Sequence, residues 1–63
     1  MTIKTTRIAS GIYAFNFKGV SYEVERWEDG MWLAFEVSRH GNREFMQQYW
    51  TKAGALADIE ENA

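Results

Sequence analysis

The chain has 63 residues, a formal net charge of −2, no cysteine and an aromatic content of 16%. That length is near the lower limit for independent folding, where one core rarely supplies more than about 3–5 kcal/mol, and the lack of cysteine excludes disulfides and thiolate metal sites. The charge balance shows no basic excess of the kind that marks a nucleic-acid footprint, and no apolar run approaches the roughly 18 residues of a membrane span.

Met1 to Ser10 lacks the apolar stretch of a signal peptide, so the expected compartment is a reducing cytoplasm. Met1 to Gly11 is β-branched and polar with no clean period, and reads as either a frayed end or a short edge strand. From Ile12 to Phe17 the chain alternates, with Tyr13, Phe15 and Phe17 on one side, and Lys18-Gly19 then turns it. Val20, Tyr22 and Val24 next oppose Ser21, Glu23, Glu25 and Trp27, which completes a first hairpin.

Asp29-Gly30 is the strongest hairpin signal in the chain. A two-residue type I′ loop would pair Glu28 with Met31, Val24 with Phe35, Tyr22 with Val37 and Trp27 with Trp32. A three-residue loop would instead set Glu25 against Leu33 and Glu23 against Phe35. Slipping by one residue exchanges the faces, so the expectation is the two-residue turn, with Leu33, Phe35 and Val37 inward. A His40-Gly41-Asn42 loop then leads to a last strand, Arg43 to Trp50, with Phe45, Gln47 and Tyr49 inward and Met46, Gln48 and Trp50 outward. A Gly41-Asn42 loop would reverse that choice. Thr51 is placed to cap a helix over Lys52 to Glu61, with Ala55, Leu56 and Ile59 at helical spacing against the sheet. Gly54 and the acidic end Asp58, Glu60 and Glu61 work against that helix, so its stability should depend on docking.

The expected architecture is α+β: an antiparallel meander of three to four strands over residues 12–50, with one C-terminal helix over residues 52–61 on one face. It forms a single small domain spanning 1–63.

Asp29-Gly30-Met31-Trp32-Leu33-Ala34-Phe35, a turn containing Gly41, and Tyr49-Trp50-Thr51-Lys52-Ala53-Gly54-Ala55-Leu56-Ala57-Asp58-Ile59 follow one another. Between residues 22 and 59 this resembles the β-β-β-α domains of the AP2 type and the related arm-binding amino-terminal domains of phage integrases. In those, a DG-x-W hairpin leads to an aromatic-x-Thr-Lys segment and an alanine-rich helix. The resemblance implies a sheet laid in the DNA major groove, with Trp32 at an exposed aromatic position and Arg43 at a basic one. Where that family has basic residues before the turn, this chain has Glu23 and Glu25, which repel phosphates.

In the expected register, Trp27, Trp32 and Trp50 form a row on the outer face, an apolar patch with an acidic margin. Glu23 faces Glu36, a like-charge pair that costs stability or awaits a basic partner. The expected function is therefore a non-enzymatic protein-binding module, with Trp27, Trp32 and Trp50 as anchors and Glu23, Glu25 and Glu36 selecting a basic surface. The resemblance adds that it is an accessory protein of a phage or other mobile element. Two alternatives stand beside it: an AP2-like DNA-binding domain contacting duplex through Arg26, Arg39, Arg43 and Lys52, and a homodimer closed by the tryptophan face. His40 reads as a solvated turn histidine, and Ser21, Ser38 and the carboxylates show no nucleophile–base spacing. No cofactor or metal is expected.

Overall fold

The structure, a computed structural model, describes residues 3–63. Met1 and Thr2, part of the stretch read as a frayed end or an edge strand, lie outside the described residues. Five strands follow in chain order: β1 (Thr6–Ala9), β2 (Ile12–Phe17), β3 (Val20–Arg26), β4 (Trp32–Val37) and β5 (Arg43–Tyr49). They form one antiparallel meander, and α1 (Lys52–Asn62) packs on one face. The sheet is thus one strand wider than expected. Thr6 to Ala9 supplies the extra edge strand, paired with β2 through an irregularity between Arg7 and Ala9.

The turns decide which side chains face the helix. Lys18 and Gly19 have φ of 52° and 79°, and Phe17 pairs with Val20. Two positive φ values in a two-residue loop make the type I′ turn whose twist matches a hairpin. Tyr13, Phe15 and Phe17 accordingly share the helix side with Val20, Tyr22 and Val24, as the alternation implies.

The turn between β3 and β4 corrects the expectation. Val24 pairs with Ala34, Glu25 with Leu33, Glu23 with Phe35 and Arg26 with Trp32. The loop is the three-residue Glu28-Asp29-Gly30. Gly30 donates its N–H to the Trp27 carbonyl at 2.9 Å, Trp27 N–H reaches the Met31 carbonyl at 2.8 Å, and Gly30 has φ of 85°. This is a type I turn followed by a left-handed glycine, the usual three-residue hairpin. The Asp29 carboxylate accepts the Met31 N–H at 2.9 Å, which ties the aspartate to the longer loop.

The next turn repeats the device one position earlier than expected, as Arg39-His40-Gly41. Gly41 N–H donates to the Ser38 carbonyl and Ser38 N–H to the Asn42 carbonyl, both at 2.9 Å, and Gly41 again has φ of 85°. Phe35 therefore pairs with Phe45, but an irregularity at Met46 shifts the rest of β5, so that Gln47 faces Ala34 and Tyr49 faces Trp32. Gln47 and Tyr49 lie on the helix side as expected. Phe45 does not, because β4 is turned over and the bulge separates it from them.

Packing gives the physical reason for this register. The core is Phe15, Tyr22, Val24, Ala34, Ala55 and Ile59. Phe15 and Tyr22 stack with ring centroids 5.3 Å apart. The helix offers only small and medium side chains to them, with Ala55 and Ile59 buried and Leu56 partly so. Ala34, fully buried on β4, lets the helix approach; Leu33, Phe35 and Val37 in its place would overfill the space beneath an eleven-residue helix. Thr51 caps the helix as expected, its hydroxyl accepting the Gly54 N–H at 2.9 Å. A Cβ on Gly54 would lie 3.1 Å from that same oxygen, so the glycine leaves room for the cap.

Candidate binding face

Among the described residues, no element covers the side of the sheet away from α1. Across it, Ser21 and Val37 pair and Val37 meets Arg43; Glu23 faces Phe35 and Phe35 meets Phe45; Glu25 faces Leu33 and Leu33 meets Gln48. Beyond the last row, Trp27 and Met31 close the turn on the same side, and Trp50 follows Tyr49 at that end of the sheet. Leu33, Phe35 and Val37 are only half-buried by their neighbours, while Phe45 is 53% exposed. Phe35 and Phe45 meet edge to face at 5.9 Å, the arrangement aromatic quadrupoles favour.

Charge on this face is gathered at one place. The Arg43 guanidinium lies 3.8 Å from the centre of the Phe35 ring, with Nε 3.1 Å from Glu23 Oε1 and Nη2 2.6 Å from Glu25 Oε1. Arg43 thus reaches from β5 across β4 to both carboxylates on β3. Such half-exposed pairs are worth at most about 1 kcal/mol each. Their larger consequence is that the two carboxylates do not stand open to a basic partner.

The residues expected to form the site are brought together only in part. Trp27 is 52% exposed and Trp50 84% exposed, both at the Asp29-Gly30 end. Trp32 does not complete their row: it lies on the helix side, its ring centroid 6.0 Å from that of Tyr13. Met31 occupies the position between the two exposed tryptophans. Glu23 and Glu25 are on the outer face as expected, but Glu36 is on the helix side opposite Tyr22, so the expected Glu23–Glu36 pair does not exist. Burial, reinforced by the Glu36 charge, instead pushes the Tyr22 phenol above its ordinary pKa. The basic residues of the DNA alternative are also dispersed. Arg26 stands opposite Trp32, Arg39 is in the second turn, Lys52 Nζ lies 3.8 Å from the Tyr13 ring centre on the helix side, and Arg43 is held by Glu23 and Glu25.

Sequence reasoning missed Leu33, Phe35, Val37 and Phe45 as surface residues. The available signal was the small Ala34 at the centre of an otherwise bulky strand.

The hydroxyls are used structurally. Ser21 Oγ donates to Asn16 Oδ1 at 2.7 Å, and Ser38 Oγ accepts from the N–H groups of Asn42 and His40 at 3.1 and 3.3 Å. Among the described residues no group of three or more His, Asp or Glu side chains is placed to hold a metal ion, and no helix is long and apolar enough to cross a membrane. Comparison with family models, with curated proteins and with solved structures found no match to this chain.

Proposed function

We propose that the protein is a non-enzymatic interaction module that binds another polypeptide through the outer face of its sheet. The observation that carries this reading is that β4, apart from the exposed Glu36, is apolar on both sides, with Trp32 and Ala34 toward the helix and Leu33, Phe35 and Val37 away from it, although the described residues cover only the helix side. A strand apolar on both faces suits burial on both. A contiguous apolar patch edged by exposed aromatics has the composition of an interface core, in which tryptophan, tyrosine, phenylalanine, methionine and arginine are enriched. Trp27, Met31, Trp50 and Phe45 are the anchors in this reading, since aromatic side chains dominate binding hot spots.

The partner is selected by apolar complementarity more than by basic charge, because Arg43 already answers Glu23 and Glu25. The resemblance to phage integrase domains suggests the setting, an accessory protein of a phage or other mobile element working in a cytoplasm.

A photoreactive amino acid at position 45, compared with one at the exposed Glu61 on the helix, tests the proposal in the cells that naturally contain the protein. A discrete protein adduct from position 45 alone is the expected result. No adduct, or the same adducts from both positions, would overturn it.

A further inference from the structure

Resting on that reading of the outer face, we infer that its occupant is a second copy of this chain, packed sheet to sheet about a two-fold axis that runs along β4.

Size and charge point to this arrangement. The molecule measures 30 × 26 × 19 Å, so its broad face matches the roughly 800 Å² per partner that stable interfaces bury. Two antiparallel sheets packed face to face stand about 10 Å apart and interleave their inner side chains. An axis along β4 lays the Leu33, Phe35 and Val37 stripe against its own copy, and it places β5 of each copy over β3 of the other. Arg43 then lies over the second copy's β3 at the level of Ser21, with that strand's Glu23 and Glu25 further along it. An axis across the strands would lay β3 on β3, with Glu23 and Glu25 facing carboxylates, a juxtaposition that costs stability.

The single chain already contains the attraction that such a pair would use. Arg43 spans β4 to reach Glu23 and Glu25 and in doing so roofs the Phe35 ring. When two copies pack, each Arg43 exchanges its own carboxylates for those on the β3 it lies over, reaching along that strand from the level of Ser21 as it does within its own sheet. The charge pairs are kept, and Phe35 is freed to pack. The face is therefore self-complementary, as an isologous interface requires.

Sedimentation equilibrium over a wide concentration range tests this. Wild type should pass from monomer to dimer. Arg43→Glu alone, and the pair Glu23→Arg with Glu25→Arg, should each weaken self-association about tenfold or more, with circular dichroism unchanged. Mixing the two variants should restore dimers, because each acidic position 43 then faces two arginines. If either variant fails to fold, the triple variant carrying all three reversals keeps every pair with inverted sign; it should dimerise with itself and not with wild type. A wild type that stays monomeric overturns the inference, as does a dimer indifferent to these reversals. A monomeric wild type that still gives a position-45 adduct with a protein of another mass ends the second-copy inference while leaving the interaction module intact. The absence of any adduct would end both.

Discussion

The Tyr49 hydroxyl donates a hydrogen bond of 2.5 Å to Asp58 Oδ2, joining the last residue of β5 to the middle of α1. It bridges the strand and the helix that follows it. Burial first, and then the hydrogen bond and the negative charge of Asp58, push the Tyr49 phenol up to about 12.

An alkaline loss of stability follows from that shift. The unfolded phenol ionises near its ordinary value of 10.0, while the folded one holds its proton to about 12. Between those values the unfolded state binds fewer protons, so stability falls as pH rises. The contribution is fully present below the unfolded value and is lost by the folded one. Urea midpoints measured from neutrality to pH 12 should fall over this window in wild type and less steeply in Tyr49→Phe. Parallel profiles would contradict the assignment.

Ala34→Leu should destabilise the fold by about 1–3 kcal/mol, because its Cβ already sits in a fully packed space beneath α1. Val37→Thr on the outer face should cost less, since that side chain is half-exposed in the single chain. Denaturant unfolding of the two variants, done at a concentration where only monomer is present, gives the comparison. The register with Phe35 inward would reverse the order.

Gly30→Ala and Gly41→Ala should each cost about 1–2 kcal/mol, because both glycines have φ of 85° and a Cβ there meets nothing within 4 Å. The penalty is one of backbone conformation alone. Lys18→Asn should act in the other direction, since Lys18 is a non-glycine residue at φ of 52° in a type I′ turn, where Asn-Gly is the favoured pair. It also gives up the Lys18 Nζ hydrogen bond to the Ala63 carbonyl, an exposed contact, so the net gain should stay below about 1 kcal/mol. Thermal unfolding of the three variants measures all of this.

The chain should show no binding to duplex DNA even at low salt. Arg43 is engaged by two carboxylates, and Lys52 and Arg26 lie on the side toward the helix, so the outer face offers no run of free cations to phosphates. Fluorescence anisotropy with a labelled duplex checks this; a binding curve that weakens steeply with salt would contradict it.

Local chemistry made much of this fold legible in the sequence. Alternation over Ile12 to Phe17 and Val20 to Val24, the Lys18-Gly19 turn, and Thr51 before a helical Ala55-Leu56-Ile59 pattern each have a short-range cause, and each is present. Asp29-Gly30 was also a true turn signal, but it does not fix loop length. Asp-Gly suits both a two-residue type I′ loop and the last two places of a three-residue loop with a left-handed glycine. The choice was made by packing that no local pattern contains: Ala34 fits under Ala55, and Phe35 does not. One residue of slip moved Trp32 and Glu36 to the helix side and carried Leu33, Phe35 and Val37 out. The outer face thereby changed from a tryptophan row with an acidic margin to a broader apolar surface crossed by one arginine. The bulge at Met46 was equally out of reach, since it reconciles an outward Phe45 with an inward Tyr49 within one strand.

The outer face depends on the pairing of β3 with β4, and cross-strand proton contacts in solution measure that pairing most directly. Trp27 and Met31 share a backbone hydrogen bond across the strands. Alternation then makes Val24 and Ala34 a non-hydrogen-bonded pair, whose α-carbons lie about 4.5 Å apart with their α-protons facing. A strong nuclear Overhauser contact between the α-protons of Val24 and Ala34 is the predicted result. A strong contact between the α-protons of Glu25 and Ala34 instead, the facing pair of a two-residue Asp29-Gly30 loop, would return Leu33, Phe35 and Val37 to the helix side, and the binding face with them.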